Sequence, residues 1–232
     1  PDFGHRFQRL MERLSFASNA MDHLVSSAYD AVVICKPFDF PVMWQARRRG
    51  MQSVTVFHTG GTDFFFGDRY FVGAVDHLLG VSRYTARQQE VRYGRAVSVV
   101  HNGVDIERFR PMARDAGRRA GWGFSADSRI LISVGRLVGW KGLRNIISVL
   151  PNVAADVCYL VVGTGPEGAA LRAQAESLGV ADRVHFAGRV EHADLPGVLS
   201  EADLYVQPSI GEEAFGISVA EAMACGLPVV AS

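Results

Sequence analysis

The chain has 232 residues, its 24 Lys/Arg and 24 Asp/Glu cancel, and hydrophobic residues make up 48%. This composition is typical of a folded globular protein and excludes wholesale disorder. No apolar run approaches the roughly 18 residues that span a bilayer. Three widely spaced cysteines exclude a disulfide framework or a CxxC metal site, and they favour a reducing compartment.

The charge is unevenly distributed along the chain. Residues 1–123 contain 17 Lys/Arg and 12 Asp/Glu, whereas residues 124–232 contain 7 and 12. The basic half could face an anionic membrane or acceptor. A chance surplus of solvated arginine explains the same numbers equally well. Only Lys36 and Lys141 are lysines.

In the first half of the chain, a helix is followed by short apolar runs. Apolar residues recur at helical spacing over 7–25, and residues 31–35 form an apolar run typical of a buried strand. A short helix at 43–49 and strands at 54–57, 77–81 and 97–100 follow. Ser82 is a suitable N-cap for a helix that ends at Tyr93. Residues 107–127 are rich in Arg, Gly and Ala with little periodicity, and we interpret them as an interdomain linker.

The second half repeats the alternation of strands and helices. Strands are predicted at 130–134, 159–162, 184–187 and 204–206. Helices are predicted at 143–150, 166–178, 195–201 with Asp194 as the cap, and 216–225. This alternation predicts an α/β fold with parallel strands. We place the domains at residues 1–120, including the linker, and 121–232. Because the chain begins at Pro1 and ends after an apolar strand-like run, we expect a fragment in which both domains are truncated.

One glycine-rich segment matches a dinucleotide-binding pattern. Gly163-Thr-Gly-Pro-Glu-Gly168 has the G-x-G-x-x-G spacing between a strand and a helix. However, it follows the second strand of its domain, and no acidic residue ends the next strand. A tight strand-to-helix turn near a ligand is therefore the favoured interpretation.

Two cations are predicted where a strand ends and a helix begins. Gly135-Arg136 ends the strand at 130–134, and Lys141-Gly142 opens the next helix. This position in α/β folds holds anionic ligands, and two cations there could neutralise a diphosphate. Taken alone, Lys141 is equally well a solvated residue of the first turn.

The segment Glu213–Glu221 is the strongest feature. If its helix starts near Gly216, Glu213 precedes the helix and Glu221 lies on its second turn. Both carboxylates could then reach one ligand lying across the helix N-terminus, where the dipole favours phosphate. For one glutamate alone, a solvated helix face would be the better interpretation.

Taken together, these segments resemble the donor half of a retaining GT-B glycosyltransferase of family 4. The matching segments are Gly135-Arg136 with Lys141-Gly142, Gly163–Glu167, Phe186-Ala-Gly188 and Glu213–Glu221. Upstream, residues 76–82 and 100–111 resemble the end of the family's acceptor-side domain. The resemblance implies two Rossmann-like domains facing a cleft. It also implies transfer of a sugar from a nucleotide diphosphate sugar to an acceptor hydroxyl, with retention of the anomeric configuration.

The resemblance also implies residue roles. Arg136 and Lys141 would stabilise the leaving diphosphate, Glu221 would bind ribose hydroxyls, and Glu213 would bind a donor-sugar hydroxyl. His58, which follows a predicted strand, would lie near the donor sugar, with a capping role at a loop start as the alternative. The remaining assigned donor-site residues are Gly135, Gly163, Gly165, Arg189, Val190, Phe215 and Gly216.

No metal or other cofactor is expected. The histidines lack metal-ligand spacing, and Asp63 and Asp68 do not form a DxD pair.

The implied partners are a nucleotide-sugar donor and a glycan or lipid-linked acceptor, without nucleic acid. The implied location is cytoplasmic, with peripheral membrane contact as an option. Arg47-Arg-Arg49 could make that contact, although a solvated helix end is the favoured interpretation of this run. Phe64–Phe66 could also make it, although burial in the core is favoured. A nucleotide-sugar epimerase of the same architecture and a non-catalytic nucleotide-sugar-binding fragment remain as alternatives, and a fragment alone is expected to be inactive.

Overall fold

A computed structural model describes residues 3–61 and 64–232, with the side chains of the first helix described at residue 12 and from residue 15 onward. The chain forms two compact units, Pro1–Asn102 and Gly103–Ser232. This division lies upstream of the predicted boundary at 120/121. Among residues 3–61 and 64–232, none of the helices combines the length and the hydropathy that a membrane span requires. Asp63, considered above for a DxD pair, lies outside the described residues.

The first unit is built on a four-stranded parallel sheet. Its strands are β1 (Ala31–Ile34), β2 (Val54–Thr59), β3 (His77–Gly80) and β4 (Ser98–Val99), in that spatial order. Its helices are α1 (Phe3–Ser26), α2 (Phe40–Arg48), α3 (Asp68–Phe71) and α4 (Arg83–Tyr93). The predicted elements are all present. Helix α2 begins earlier than predicted because a proline lies in its first turn, where a missing N–H has no cost.

The start of α4 is set by local chemistry that the sequence reveals. The Ser82 hydroxyl accepts from the Thr85 N–H at 3.1 Å, and the Thr85 hydroxyl accepts from the Ser82 N–H at 3.0 Å. This reciprocal capping box confirms Ser82 as the predicted N-cap. The helix ends at Tyr93 and is capped by Gly94, whose φ of +64° favours glycine.

The run of three phenylalanines in the first unit is only partly buried. Phe64 lies edge-on to Tyr93, and Phe65 stacks on Phe38. Phe66 is 95% exposed. The expectation that this run enters the core is therefore wrong for Phe66. The half-buried Arg92 pairs with the buried Asp68 and donates to the Phe65 carbonyl, so these contacts hold the loop at Phe65 and not at Phe66.

The second unit is built on a five-stranded parallel sheet. Its strands are β5 (Arg129–Val134), β6 (Val157–Val162), β7 (Val184–Gly188), β8 (Leu204–Gln207) and β9 (Val229–Ala231), in the order β7-β6-β5-β8-β9. Its helices are α5 (Ala116–Gly121), α6 (Leu143–Val149), α7 (Gly168–Ser177), α8 (Leu195–Leu199) and α9 (Ile217–Ala224). The chain moves outward from β5 to β7 and then returns to the other side of β5. The carboxyl ends of β5 and β8 therefore flank the switch point, where such sheets bind ligands.

Both faces of this second sheet are buried. Along β6, Cys158 and Leu160 belong to one apolar cluster, whereas Tyr159 and Val161 belong to the other. Strands covered on both sides are continuously apolar, which explains the unbroken hydrophobic run in β6.

The segment interpreted as a linker packs on the second unit instead. Asp115 caps α5 by accepting from the Gly117 N–H, and the Asp115 N–H donates to the Glu201 carboxylate at 2.7 Å. Arg119 is buried beside Glu201, with 3.5 Å between Nε and Oε2. A buried charge needs such a partner, and this partner is 82 residues away along the chain. Periodicity within the segment could not reveal it.

Two helix starts also differ from expectation. Helix α7 begins at Gly168 rather than at residue 166, because the Glu167 N–H donates to the Leu137 carbonyl in the loop after β5. Asp194 precedes α8 as predicted, but its side chain makes no capping hydrogen bond. Its backbone is already helical, which points the carboxylate away from the first-turn N–H groups.

Candidate functional site

A small pocket lies between the carboxyl ends of β5 and β8. Gly135, Arg136, Lys141, Gln207 and Pro208 are among the residues that line it. The predicted cations Arg136 and Lys141 are therefore brought together, as the sequence predicts for a strand end beside a helix start.

The glycines of the G-x-G-x-x-G segment allow two loops to pass in contact. A Cβ at Gly163 would lie 1.9 Å from the Gly135 carbonyl oxygen, and one at Gly165 would lie 2.4 Å from the Leu137 carbonyl oxygen. The loops are also joined by a hydrogen bond from the Leu137 N–H to the Thr164 carbonyl at 3.0 Å. Backbone packing thus accounts for both glycines, and their contact with a donor stays a prediction.

A third glycine brings Lys141 to the pocket. Gly142 has a φ of +67°, and a Cβ there would lie 1.8 Å from the Pro208 carbonyl oxygen. The turn that carries Lys141 therefore packs directly on the end of β8. Any other residue at this position would push the turn away from the strand.

Lys141 forms an ion pair with Glu213. Its ammonium lies 2.5 Å from Glu213 Oε2 and 4.7 Å from the centre of the Trp140 ring. The two charged side chains are only 13% and 30% exposed. Because their charges cancel, the Lys141–Glu213 pair adds no net charge to the pocket.

Arg136 supplies the uncompensated positive charge. Its side chain is exposed and makes no ion pair or hydrogen bond with the residues that the structure describes. An anion that enters the pocket would therefore meet the Arg136 guanidinium first, beside a Lys141–Glu213 pair that is already formed.

Helix α9 begins beside these groups. Gly216 precedes it with a φ of +81° and provides no side-chain cap, so the first N–H groups of α9 remain for a ligand or solvent. Glu221 lies on the second turn and is buried, with Oε1 2.8 Å from His192 Nε2. The two predicted carboxylates thus flank the start of α9, but each has a different partner.

The remaining predicted residues have less distinctive surroundings. Arg189 is exposed and pairs with Glu191, Val190 packs against an apolar cluster, and Phe215 is half-buried. His58 lies near the end of β2 in the first unit. Its Nε2 is buried and has no hydrogen-bond partner within the described part of the chain. The roles of these four residues stay predictions.

Sequence reasoning missed three polar residues at the site. Gln207 donates to Glu213, Tyr205 contacts Gln207, and His192 contacts Glu221. Burial raises the pKa of Tyr205 to about 12, despite the opposing hydrogen bond to Ser218, so its hydroxyl stays protonated. The sequence offers a signal for one of them, because Gln207 is a polar residue at the end of the apolar run of β8.

Among residues 3–61 and 64–232, the structure contains no cluster of three or more side chains suited to hold a metal ion. The charged groups at the pocket are the Arg136 guanidinium and the Lys141–Glu213 ammonium–carboxylate pair, and the Glu221 carboxylate lies on α9. These groups bind anions and hydroxyls.

The fold has counterparts among known proteins. The HepE protein of Anabaena, solved in complex with UDP and glucose, superposes with a TM-score of 0.78 at 25% identity, covering 94% of this chain and 61% of that protein. A sucrose-phosphate synthase from Thermosynechococcus elongatus shares the fold with a TM-score of 0.75 at 22% identity, covering 93% of this chain and 59% of that protein. The predicted α/β class of GT-B type is therefore confirmed.

Family comparisons agree over nearly the whole chain. Residues 117–232 match the family described as glycosyl transferases group 1, and residues 2–108 match glycosyltransferase family 4. The chain belongs to the group 1 glycosyl transferases.

Two curated relatives are similar in sequence. A GDP-mannose-dependent monoacylated alpha-(1-6)-phosphatidylinositol monomannoside mannosyltransferase of Corynebacterium glutamicum is 34% identical over 170 residues, 68% of this chain and 44% of the relative. A D-inositol 3-phosphate glycosyltransferase of Mycobacterium bovis is 35% identical over 178 residues, 72% of this chain and 36% of the relative. The matched regions span less than half the length of these relatives.

Proposed function

We propose that the chain acts in the transfer of a sugar from a nucleotide diphosphate sugar to an acceptor hydroxyl, with retention at the anomeric carbon. The observation that carries this proposal is the uncompensated Arg136 beside the Lys141–Glu213 pair, at the switch point between β5 and β8. Family membership supports it. The transferase names of the relatives favour this reaction over the epimerase considered above.

Arg136 and Lys141 would stabilise the diphosphate as it leaves. Breaking the anomeric bond places the bonding electron pair on a phosphate oxygen, so negative charge develops beside these cations. The N–H groups at the start of α9 would add to this stabilisation. In this proposal no metal is required, because protein cations fill that role.

The two glutamates would orient the donor. Glu221 would accept hydrogen bonds from ribose hydroxyls, which requires sharing or displacing His192. Glu213 would accept one from a sugar hydroxyl while it keeps its pair with Lys141. The sugar would thus contact Glu213 and the diphosphate would contact Lys141, the two members of one ion pair.

For the reaction itself, we propose attack on the leaving-group face, which gives retention in a single step. The acceptor hydroxyl attacks the anomeric carbon from the face of the leaving diphosphate. The new C–O bond forms as the bond to the phosphate oxygen breaks. That phosphate oxygen takes the proton of the acceptor hydroxyl, so no further base is needed.

The names of similar proteins suggest which substrates to test. One relative is GDP-mannose-dependent, and HepE was solved with UDP and glucose. Both relatives named above act on inositol-containing acceptors. We therefore propose a hexose donor and an inositol-containing glycan or lipid-linked acceptor.

Nucleotide binding by titration calorimetry in EDTA tests the donor site. We expect the 232-residue chain to bind UDP or GDP, and Arg136→Met to weaken binding about 10- to 150-fold, since hydrogen bonds to charged groups contribute about 1.5–3 kcal/mol. The control is Arg172→Met, which removes a cation that stacks on Phe186 instead. Equal affinities of the two variants, or binding that depends on added Mg²⁺ or Mn²⁺, would refute the cation-based account.

A transfer assay tests the reaction. GDP-mannose and UDP-glucose are each incubated with D-inositol 3-phosphate or phosphatidylinositol mannoside, and products are identified by mass spectrometry and NMR. The expected product is an α-linked glycoside, because these donors carry α-linked sugars. A β-linked product would refute retention, and conversion of the donor sugar without an acceptor would indicate an epimerase.

We also propose that the first unit contacts an anionic membrane surface at the cytoplasmic face. Trp44 is partly exposed and stacked under Arg48, and Phe66 and Tyr70 are highly exposed. Arg47 is not available, because it pairs with Asp76. The fraction of protein that sediments with phosphatidylinositol-containing vesicles should be lower for Phe66→Ser than for the wild-type protein. Equal binding of the wild-type protein to neutral vesicles would contradict an electrostatic attraction to the membrane.

A further inference from the structure

We infer that Tyr205 and Gln207 are positioning residues that hold the Glu213 carboxylate against Lys141. Neither residue needs to touch the donor for this role. Its consequence for donor binding rests on the proposed function, whereas the positioning itself does not.

Gln207 is the direct support of Glu213. It is buried, and its Nε2 donates to Glu213 Oε2 at 2.9 Å. That same oxygen faces the Lys141 ammonium at 2.5 Å. One carboxylate oxygen therefore receives two donors from two elements, which fixes its place between the end of β8 and the turn before α6.

The orientation of the Gln207 amide is itself fixed. Its Nε2 also lies 3.1 Å from Ser209 Oγ, and its Oε1 lies 3.1 Å from the Tyr205 hydroxyl. A hydroxyl donor at Oε1 requires that the NH₂ group point the other way, toward Glu213. Tyr205 thus selects the amide orientation that can donate to the carboxylate.

The Tyr205 hydroxyl joins three elements. It lies 2.8 Å from Ser218 Oγ on α9 and 3.4 Å from the Val134 carbonyl at the end of β5, besides Gln207 on β8. A hydroxyl has one proton, so Tyr205 can donate to Gln207 when Ser218 donates to Tyr205. The high pKa of Tyr205 keeps that proton in place at neutral pH.

Removal of this support would leave Lys141 as the one described side chain that holds Glu213 Oε2. An ion pair alone permits several geometries, because Coulomb attraction is not strongly directional. The ammonium and the carboxylate would then adopt alternative arrangements at the pocket wall.

Lysine NMR tests this positioning without any ligand. The chain contains only two lysines, Lys36 and Lys141, so lysine labelled with ¹³C at Cε gives two signals. We expect Tyr205→Phe and Gln207→Met to shift the Lys141 signal and to leave that of Lys36 unchanged. An unchanged Lys141 signal in both variants would overturn the inference.

A matched control separates positioning from general loosening of the core. Tyr159 is also fully buried, its hydroxyl donates to Ser133 at 2.8 Å, and its pKa is likewise raised by burial. Tyr159→Phe should lower stability to a similar extent without moving the Lys141 signal. If it moves that signal as much as Tyr205→Phe does, the role is structural. Should Tyr205→Phe fail to fold, Gln207→Met, which leaves the core ring in place, decides by the same readout.

Ligand affinity then tests the consequence for the donor. Gln207→Met should weaken binding of the accepted nucleotide sugar, UDP-glucose or GDP-mannose, about 2- to 10-fold more than binding of the free nucleoside diphosphate. This difference should vanish in a Glu213→Gln background, since Gln207 then has no carboxylate to position against Lys141. A difference that persists there overturns the inference. Wild-type protein that binds no nucleotide sugar would instead refute the proposed function, and the lysine signals would still decide the positioning.

Discussion

Gly163→Ala should be a strongly damaging single-methyl change near the pocket. Its Cβ would lie 1.9 Å from the Gly135 carbonyl oxygen, whereas real contacts begin near 3.0 Å, so the Gly135 loop must move by about 1 Å. The positive φ of +129° adds strain of about 1–3 kcal/mol, and overpacking adds about 1–3 kcal/mol. We expect a loss of about 2–6 kcal/mol in the free energy of unfolding.

The control for this change is Gly179→Ala. Gly179 also has a positive φ, +66°, but a Cβ there meets nothing within 4 Å, so only about 1–2 kcal/mol should be lost. Urea unfolding measures both values. A displacement of 1 Å can cost about 100-fold in a well-aligned site, so UDP or GDP affinity should fall in Gly163→Ala alone. Equal unfolding free energies, or unchanged nucleotide affinity in Gly163→Ala, would refute the reasoning.

Three further outcomes are expected. Glu221→Gln should weaken nucleoside diphosphate binding about 10- to 150-fold in calorimetry, because a charge-assisted acceptor for ribose is lost; unchanged affinity would remove Glu221 from the site. Iodoacetamide at pH 8 should modify the exposed Cys35 but spare Cys225, whose pKa burial raises to about 11; peptide mapping that finds Cys225 labelled first would contradict this. Glu201→Gln should cost about 1.5–3 kcal/mol in urea unfolding, because the buried Arg119 loses its buried carboxylate and keeps only Asp203, 3.6 Å away; a loss below about 1 kcal/mol would mean that the Arg119–Glu201 pair does not anchor α5.

The sequence predicted most strands and helices because their signals are local. The capping pair of Ser82 and Thr85 lies within four residues, and the apolar strand runs are contiguous. Likewise, the placement of Arg136 and Lys141 at one pocket follows from a strand end and the next helix start. Such features need no knowledge of distant residues.

The features that escaped prediction depend on distant partners. Lys141 and Glu213 are 72 residues apart, yet they neutralise each other at the pocket. Arg119 and Glu201 join an apparent linker to the second unit in the same way. Buried ion pairs leave no periodic pattern in the chain. Sequence reasoning therefore identified the charged residues but not which of them remain uncompensated.

The strand order of the second unit also bears on the sequence of folding events. Strands β5, β6 and β7 are neighbours both in the chain and in space, so their pairing closes short loops. Pairing of β5 with β8 joins residues 73 apart, as between Ser133 and Val206. Contacts of high sequence separation cost more loop-closure entropy, so we expect the β5–β8 pairing to follow the β5–β6 and β6–β7 pairings. The crevice between β5 and β8 would then be completed last, and a nucleotide bound across it would stabilise the final folding step rather than the first.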